Sequence, residues 1–181
     1  MSLVLRQVPI DGADASGLVE QVQQEYERRY GGRDTAATPP AEFAPPQGTF
    51  LVAYREGAAV GCGGIRLVDV GPGPLTAEVK RMYVVPTARG AGVARRLLAA
   101  LEQAAREAGA VAVRLETGTR QPEAIGLYAS CGYLPVPVFG VHAGSPHSRC
   151  FGRSFMTAPP ASWVDAGGAG ADGADGAGGR D

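Results

Sequence analysis

The sequence predicts an α/β (α+β) fold in which helices flank a mixed sheet, with an antiparallel first half and one parallel pair of strands. Two observations support this fold class. Residues 49–85 hold three strand-like segments joined by short turns, as in an antiparallel meander. A glycine-rich turn and an amphipathic helix then lead into another strand at 111–116, and a helix that joins two strands in this way makes them parallel.

The first half of the chain begins with a predicted strand over residues 3–9 and a helix over 11–30. The polar, proline-rich segment 33–47 is predicted to be a loop. Strands follow at 49–54, 59–70 and 75–85. Regular alternation along the last of them predicts two faces, with Val79, Arg81, Tyr83 and Val85 opposite Glu78, Lys80, Met82 and Val84.

The second half contains two predicted helices. The first spans about 91–108, and its apolar spacing turns Leu97 and Leu101 toward the core while Glu102 faces solvent. The second spans about 122–131 and begins with a proline, which is favoured at a first helical position.

Two strands, at 133–138 and 148–155, are predicted to close the sheet. We expect a single domain over residues 1–160. Beyond it, residues 164–181 are nearly all Gly, Ala and Asp, which cannot bury enough apolar surface to fold, so we expect a disordered tail.

Composition excludes several classes of function. The net charge is −1, so the general attraction for DNA or RNA is missing. No stretch matches a signal peptide or approaches the roughly 20 apolar residues of a membrane span. We therefore expect a cytoplasmic protein that binds neither nucleic acid nor membrane. The three cysteines lack C-x-x-C spacing and the two histidines have no carboxylate at helical spacing, so no metal site is predicted.

A glycine-rich turn with the sequence RGAGVA occupies residues 89–94, between a predicted strand and a predicted helix. The first N–H groups of a helix are unpaired and carry the positive end of its dipole, and glycines let a polyanion approach them. Arg89 adds a charged donor. The turn therefore predicts a site for a pyrophosphate, although glycines that only relieve steric strain are the alternative.

This segment shares features with two other nucleotide-binding turns. A P-loop is excluded because no Gly-Lys-Ser/Thr follows. The dinucleotide fingerprint G-x-G-x-x-G fits at Gly90 and Gly92, and Glu116 stands near the position of its ribose-binding acid, but Arg95 replaces the third glycine. The preceding antiparallel strands also disfavour a dinucleotide fold, which nevertheless stays an alternative.

Three motifs in this order resemble the GCN5-related N-acetyltransferase (GNAT) family. Residues 89–94 match its R/Q-x-x-G-x-G/A motif, and residues 78–86 (EVKRMYVVP) resemble its fourth strand. Residues 124–133 (AIGLYASCGY) resemble its A-x-x-L-Y-x-x-x-G-F/Y helix. The runs at 115–118 (LETG) and 121–124 (QPEA) are similar to a large bacterial subgroup of this family, whose substrates are mostly unassigned. The resemblance covers roughly residues 3–155, with Gln121-Pro122-Glu123 where many members carry an Asn.

The resemblance implies acetyl-CoA as the cofactor, with its pyrophosphate on the glycine turn and its pantetheine arm in a splay beside the fourth strand. The N–H groups of Met82 and Val84 would hold the pantetheine amide and the thioester oxygen, where fixed donors stabilise an oxyanion. The cofactor-binding residues expected on this basis are Met82, Tyr83, Val84, Arg89, Gly90, Ala91, Gly92, Val93, Ala94 and Arg95.

Two catalytic groups are implied as well. Tyr128 matches the family's general-acid tyrosine, and a phenol stays protonated at neutral pH, so it can donate to a departing thiolate. Glu78 matches a position that often removes the amine proton through water, and Glu116 is an alternative base or amine-binding group. The residues alone also allow Tyr128 to be a core side chain and Glu78 to be in an ion pair with Arg81 or Arg114.

The sequence therefore predicts an N-acetyltransferase that acts on a primary amine of a small molecule, an amino-acid derivative or a peptide. A non-catalytic acyl-CoA-binding sensor and a nicotinamide-dinucleotide-dependent oxidoreductase are the alternatives. The loop 139–149, with His142 and His147, is expected to border the acceptor pocket, and Arg66, Arg120 or Arg149 to bind an acceptor carboxylate. A homodimer is expected as the commonest assembly.

Overall fold

The computed structural model describes residues 2–68 and 73–163, so the predicted tail at 164–181 lies outside the described residues. The described strands form one sheet and are β1 (Leu3–Gln7), β2 (Gly48–Arg55), β3 (Ala58–Val68), β4 (Thr76–Val84), β5 (Ala112–Gly118), β6 (Leu134–Pro135) and β7 (Ser148–Ser154). Their order is β1-β2-β3-β4-β5-β7-β6. All neighbours are antiparallel except β4 and β5, which confirms the predicted mixed sheet.

Helices cover both faces of the sheet. α1 (Ala13–Tyr30) packs Leu18 and Val22 on one face, and α2 (Val93–Glu107) and α3 (Pro122–Ser130) pack on the other. Among the described residues, no helix is both long and apolar enough to cross a membrane.

The apolar stripe of α2 is the main reason that it docks on the sheet. Leu97, Leu98 and Leu101 are fully buried, and each such burial contributes roughly 1.5–3 kcal/mol. The prediction that Glu102 faces solvent is wrong. It is buried and accepts two hydrogen bonds from Arg153, at 2.8 and 3.0 Å, because β7 brings a cation beneath the helix.

A bulge in β4 changes the predicted faces of this strand. Tyr83 pairs with Cys62 and Lys80 with Gly64, so Arg81 and Met82 together oppose the single residue Gly63. Arg81 adopts a left-handed φ of 56°. The regular alternation predicted through Arg81 is therefore wrong: Val79, Met82 and Val84 pack on the α2 face, and Tyr83 packs with α1.

The parallel pair separates partway along its length. Its ladder runs from Thr76 opposite Ala112 to Val79 opposite Leu115 and stops there. Both strands continue beyond this point, β4 to Val84 and β5 to Gly118. The second half of β4 consequently has one edge without a strand partner, which is the splay implied by the family resemblance.

Candidate functional site

A cleft of about 330 Å³ opens where β4 and β5 separate. Five segments line it: the end of α1 with the loop after it, β4, the end of β5 with the next loop, α3, and the loop before β7. The lining includes the polar and charged residues Tyr30, Arg33, Asp34, Lys80, Arg81, Glu116, Arg120, Tyr128, His142, His147 and Ser148, together with Met82. The volume lies within the range typical of small-molecule sites, at the low end.

The free edge of β4 provides backbone donors at the splay. The N–H of Val85 donates to the carbonyl of Val60 in β3, so this N–H group points toward β3. Because N–H groups alternate sides along a strand, those of Val84 and Met82 face away from β3, toward the gap. The two donors predicted to hold the pantetheine arm thus lie on the edge that β5 leaves open.

The glycine turn presents a row of unpaired donors at the start of α2. Gly90 and Gly92 have φ values of 77° and 75°, which side-chain-bearing residues adopt only with strain. The N–H groups of residues 90–95 make no hydrogen bond of standard geometry to any residue that the structure describes. The glycines are exposed, and a Cβ there would meet no atom within 4 Å. These donors, together with the helix dipole, fit a pyrophosphate.

Arg89 lies beside this turn with its side chain already engaged. Its Nε donates to the carbonyl of Val84 at 2.9 Å, and its guanidinium forms an ion pair with Glu25 at 2.9 Å. Burial raises the pKa of Glu25, but hydrogen bonds from Arg89 and Arg29 lower it by more, so the carboxylate stays charged. Arg89 would have to share or leave this pair to reach a phosphate.

Arg95, the last predicted cofactor residue, extends from α2 toward the end of α3. Its guanidinium donates to the Ser130 hydroxyl at 2.9 Å and lies 3.3 Å from the sulfur of Cys131. It therefore connects the two helices that border the splay.

Tyr128 is held in α3 with its ring against those of Tyr133 and Phe151, and it lines the cleft. Burial raises the pKa of its phenol well above the usual value, so the group stays protonated. No described residue forms a hydrogen bond with its hydroxyl, and this oxygen, unlike that of Tyr133, is not a fully buried unpaired atom, so it keeps access to the cleft. A buried phenol without a partner is suited to donating a proton into the cleft.

Glu78 lies outside the lining of the cleft, in a cluster of cations. Its carboxylate is 3.2 Å from Lys80, 3.3 Å from Arg66 and 3.6 Å from Arg114. The pair with Arg114 corresponds to one of the alternatives allowed by the sequence, and burial of the carboxylate is matched by three positive partners. Its predicted role as base stays a prediction.

Glu116 and Arg120 are the charged groups of the cleft without an opposite charge as partner among the described residues. Glu116 accepts a hydrogen bond from the Ser148 hydroxyl at 2.7 Å. Arg120 donates to the carbonyl of Arg29 at 2.6 Å, and its guanidinium lies 5.9 Å from the centre of the Tyr30 ring. One unpaired carboxylate and one unpaired guanidinium are thus available to a bound molecule.

The other two arginines considered for an acceptor carboxylate do not line the cleft. Arg66 pairs with Glu42 and Glu78, and Arg149 donates to the carbonyls of Pro146 and Ser148.

A hydrogen-bonded chain that the sequence analysis missed also lies along the cleft. The buried guanidinium of Arg81 pairs with Asp34 at 2.6 Å, and the other oxygen of Asp34 lies 3.1 Å from Nε2 of His142. Asp34 is in a loop and Arg81 in a bulge, where no periodic pattern indicates a contact. His147, the second imidazole of the cleft, lies 3.2 Å from the Thr119 hydroxyl instead.

Comparison with known proteins agrees with this geometry. Residues 19–133 match the model of the acetyltransferase (GNAT) family. A protein of Azospirillum brasilense named IAA acetyltransferase is 38% identical over 145 residues, which cover 80% of this chain and 92% of that protein.

Solved structures show the same architecture. A Klebsiella pneumoniae protein assigned as an acyl-CoA N-acyltransferase has a TM-score of 0.70 and 29% identity, covering 85% of this chain and 98% of that one. A PaiA N-acetyltransferase of Thermoplasma acidophilum, in complex with coenzyme A, shares the fold with a TM-score of 0.61 and 14% identity, covering 85% of this chain and 99% of that one.

Proposed function

The chain belongs to the acetyltransferase (GNAT) family, and we propose that it acetylates a primary amine of a small molecule, an amino-acid derivative or a peptide. As a member of this family it is an acyltransferase that uses acetyl-CoA. Acetyl transfer therefore fits the chain better than a non-catalytic sensor or a nicotinamide-dependent oxidoreductase.

The observation that carries the proposal is the separation of β4 and β5, which connects a row of backbone donors to a cleft containing Tyr128. Acetyl-CoA supplies an acetyl thioester, whose carbonyl carbon accepts the amine. The donors of residues 90–95 bind its pyrophosphate, assisted by Arg89, and the N–H groups of Met82 and Val84 bind the pantetheine arm and thioester oxygen. Tyr83 packs against α1 and Arg95 contacts Ser130 of α3, and these contacts hold β4 and the start of α2 in place.

Tyr128 donates the proton that the departing thiolate takes. Its buried, protonated phenol lines the cleft and is not engaged by another described side chain. Glu78, the base expected from its position, could take the amine proton only through a water relay, because it lies outside the lining of the cleft. Glu116 contacts the acceptor directly.

The acceptor carries an amine and, in the preferred class, a carboxylate. Glu116 attracts a protonated amine because no cation in the described part of the chain neutralises it. Arg120 attracts an acceptor carboxylate for the corresponding reason. This preference can be tested with an amino acid and the matched amine that lacks its carboxylate. The native protein should have a lower KM for the amino acid than for the amine, and Arg120→Gln should not show this difference.

Release of free thiol from acetyl-CoA across a panel of amines tests the activity. We expect turnover with at least one amine, and a fall in kcat on the order of 10²-fold in Tyr128→Phe with coenzyme A affinity retained. Removal of the hydroxyl leaves no described residue without a hydrogen-bond partner, so the native protein and Tyr128→Phe should have nearly the same Tm. Equal rates in the two proteins would remove Tyr128 from the reaction, and no turnover with any amine would contradict the proposed activity.

The expected homodimer and the single domain over residues 1–160 stay predictions. Light scattering on the purified protein tests the first, and limited proteolysis followed by mass measurement of the fragments tests the second.

A further inference from the structure

The chain Arg81–Asp34–His142 determines which nitrogen of the imidazole carries a proton. Burial raises the pKa of Asp34, but the Ala36 N–H, His142 and Arg81 lower it by more, so its net shift is downward. An ionised carboxylate only accepts hydrogen bonds. Nε2 of His142 must therefore be the protonated nitrogen, and Nδ1 of the neutral ring keeps a lone pair.

The three residues belong to separate parts of the fold, yet all three line the cleft. Arg81 is at the β4 bulge, Asp34 follows α1, and His142 precedes β7. The Arg81 side chain is 3% exposed and that of Asp34 is 18% exposed, whereas that of His142 is 40% exposed. The hydrogen-bonded residues thus lead from the buried guanidinium of Arg81 to the His142 imidazole, which a ligand can reach.

We propose that His142 is the general base of the reaction and that Asp34 is its positioning residue. The inference rests on the proposed amine acetylation. The amine nitrogen forms a bond to the acetyl carbonyl carbon, and the carbon–sulfur bond breaks. Nδ1 of His142 takes one proton from the bound ammonium, which gives the neutral amine. The leaving sulfur takes the phenolic proton of Tyr128, and the proton that the nitrogen loses after attack restores the phenol. Asp34 stabilises the resulting imidazolium through Nε2.

The other charged groups of the cleft bear on this proton transfer. Lys80, Arg33 and Arg120 are cations that disfavour an imidazolium, and Glu116 is a carboxylate that favours it. Lys80 pairs with Glu78 and Arg33 with Glu20, which weakens their effect on the ring. Asp34, in direct contact at 3.1 Å, is the dominant neighbour. The remaining titratable groups facing the cleft are His147 and the phenols of Tyr26, Tyr30 and Tyr128.

Two carboxylates are rivals for the same role, and geometry separates them from His142. Glu78 lies outside the cleft and is shared by three cations, so giving it a proton would leave those cations without their partner. Glu116 lines the cleft but accepts a hydrogen bond from Ser148 and has no cationic partner among the described residues, which suits it to binding a protonated amine.

Kinetics and chemical rescue test the proposal. We expect kcat/KM of His142→Ala to fall on the order of 10²-fold, with part of the loss restored by imidazole in the buffer. The native rate should decrease as the pH is lowered, because protonation removes the Nδ1 lone pair. This decrease is the acidic limb of the pH–rate profile, and it should be lost in His142→Ala. His147→Ala is the matched control: it should retain the limb and show no response to imidazole, whatever its effect on KM.

Nitrogen NMR gives a readout that does not depend on turnover. In the native protein the His142 ring should show the Nε2-protonated tautomer, and Asp34→Asn should change this distribution while the protein stays folded by circular dichroism. Native turnover with undiminished rates in His142→Ala would overturn the assignment of the base and leave the proposed activity intact. A native ring protonated on Nδ1 alone would overturn it as well, and absence of native turnover with every amine would overturn both proposals.

Discussion

Replacement of Arg89 by alanine should weaken coenzyme A binding, and the structure sets the size of the effect. A charge-assisted hydrogen bond from a guanidinium to a phosphate contributes about 1.5–3 kcal/mol. Arg89 must first leave or share its partly exposed ion pair with Glu25, which costs about 0.2–1 kcal/mol. The net loss of about 0.5–2.8 kcal/mol corresponds to roughly 2- to 100-fold in Kd.

Binding should be weakened and not abolished, because the backbone donors of residues 90–95 are untouched by the substitution. Glu25→Gln should have the opposite effect. It releases Arg89 from its carboxylate, so coenzyme A should bind up to about fivefold more tightly.

Calorimetric titration of coenzyme A into the native protein and these variants measures the change. Arg106→Ala is the control for net charge, since Arg106 lies at the end of α2 that is far from the glycine turn, over the Phe155 ring. Pantetheine, which lacks the pyrophosphate, is the control for the ligand and should bind native protein and Arg89→Ala alike. Equal coenzyme A affinity in native protein and Arg89→Ala would refute the assignment of this arginine to the phosphates.

Two further predictions concern stability. Gly118→Ala should lower the free energy of unfolding by about 1–3 kcal/mol in urea titrations, because a Cβ would overlap the Tyr30 hydroxyl. Gly17→Ala is the control and should not destabilise the protein, because Gly17 is in open space on α1. An unchanged urea midpoint for Gly118→Ala would contradict the contact with Tyr30. The folded-state pKa of Asp34 is lowered, so the stabilisation that the carboxylate contributes is present above the unfolded pKa of about 3.9 and is lost as the pH falls through the folded pKa. The free energy of unfolding should therefore decrease less steeply with acid in Asp34→Asn than in the native protein. Parallel plots of unfolding free energy against pH for the two proteins would refute this prediction.

Regular side-chain periodicity explains which parts of the fold were predictable from the sequence. The apolar spacing of α2 and the glycine turn before it are local signals, and both are found where they were predicted. The exposure of Glu102 was mispredicted because its partner, Arg153, is 51 residues away in the chain. Local pattern carries no information about a cation that the sheet brings beneath the helix.

The acceptor side of the cleft was less predictable than the cofactor side for the same reason. The contact between Asp34 and His142 joins two irregular loops that are 108 residues apart. Tyr26 and Tyr30 carried a detectable signal, since their spacing places them on one face of α1, but the pattern could not show that this face ends over the cleft.

The bulge at Arg81 connects the two sides of the proposed site. A left-handed conformation of a residue with a Cβ costs about 1–2 kcal/mol, and the fixed contacts of the Arg81 guanidinium with Asp34 and the Ala36 carbonyl offset that cost. The extra residue leaves Lys80 and Arg81 together on the acceptor side, whereas Met82 returns to the α2 face and packs over Gly63. A Cβ at position 63 would collide with the Met82 side chain. One irregularity thereby places the Asp34–His142 pair on one side of the splay and the Met82 and Val84 donors at its edge. Since a regular strand would turn Arg81 away from Asp34, the bulge is required for both sides of the site to form together.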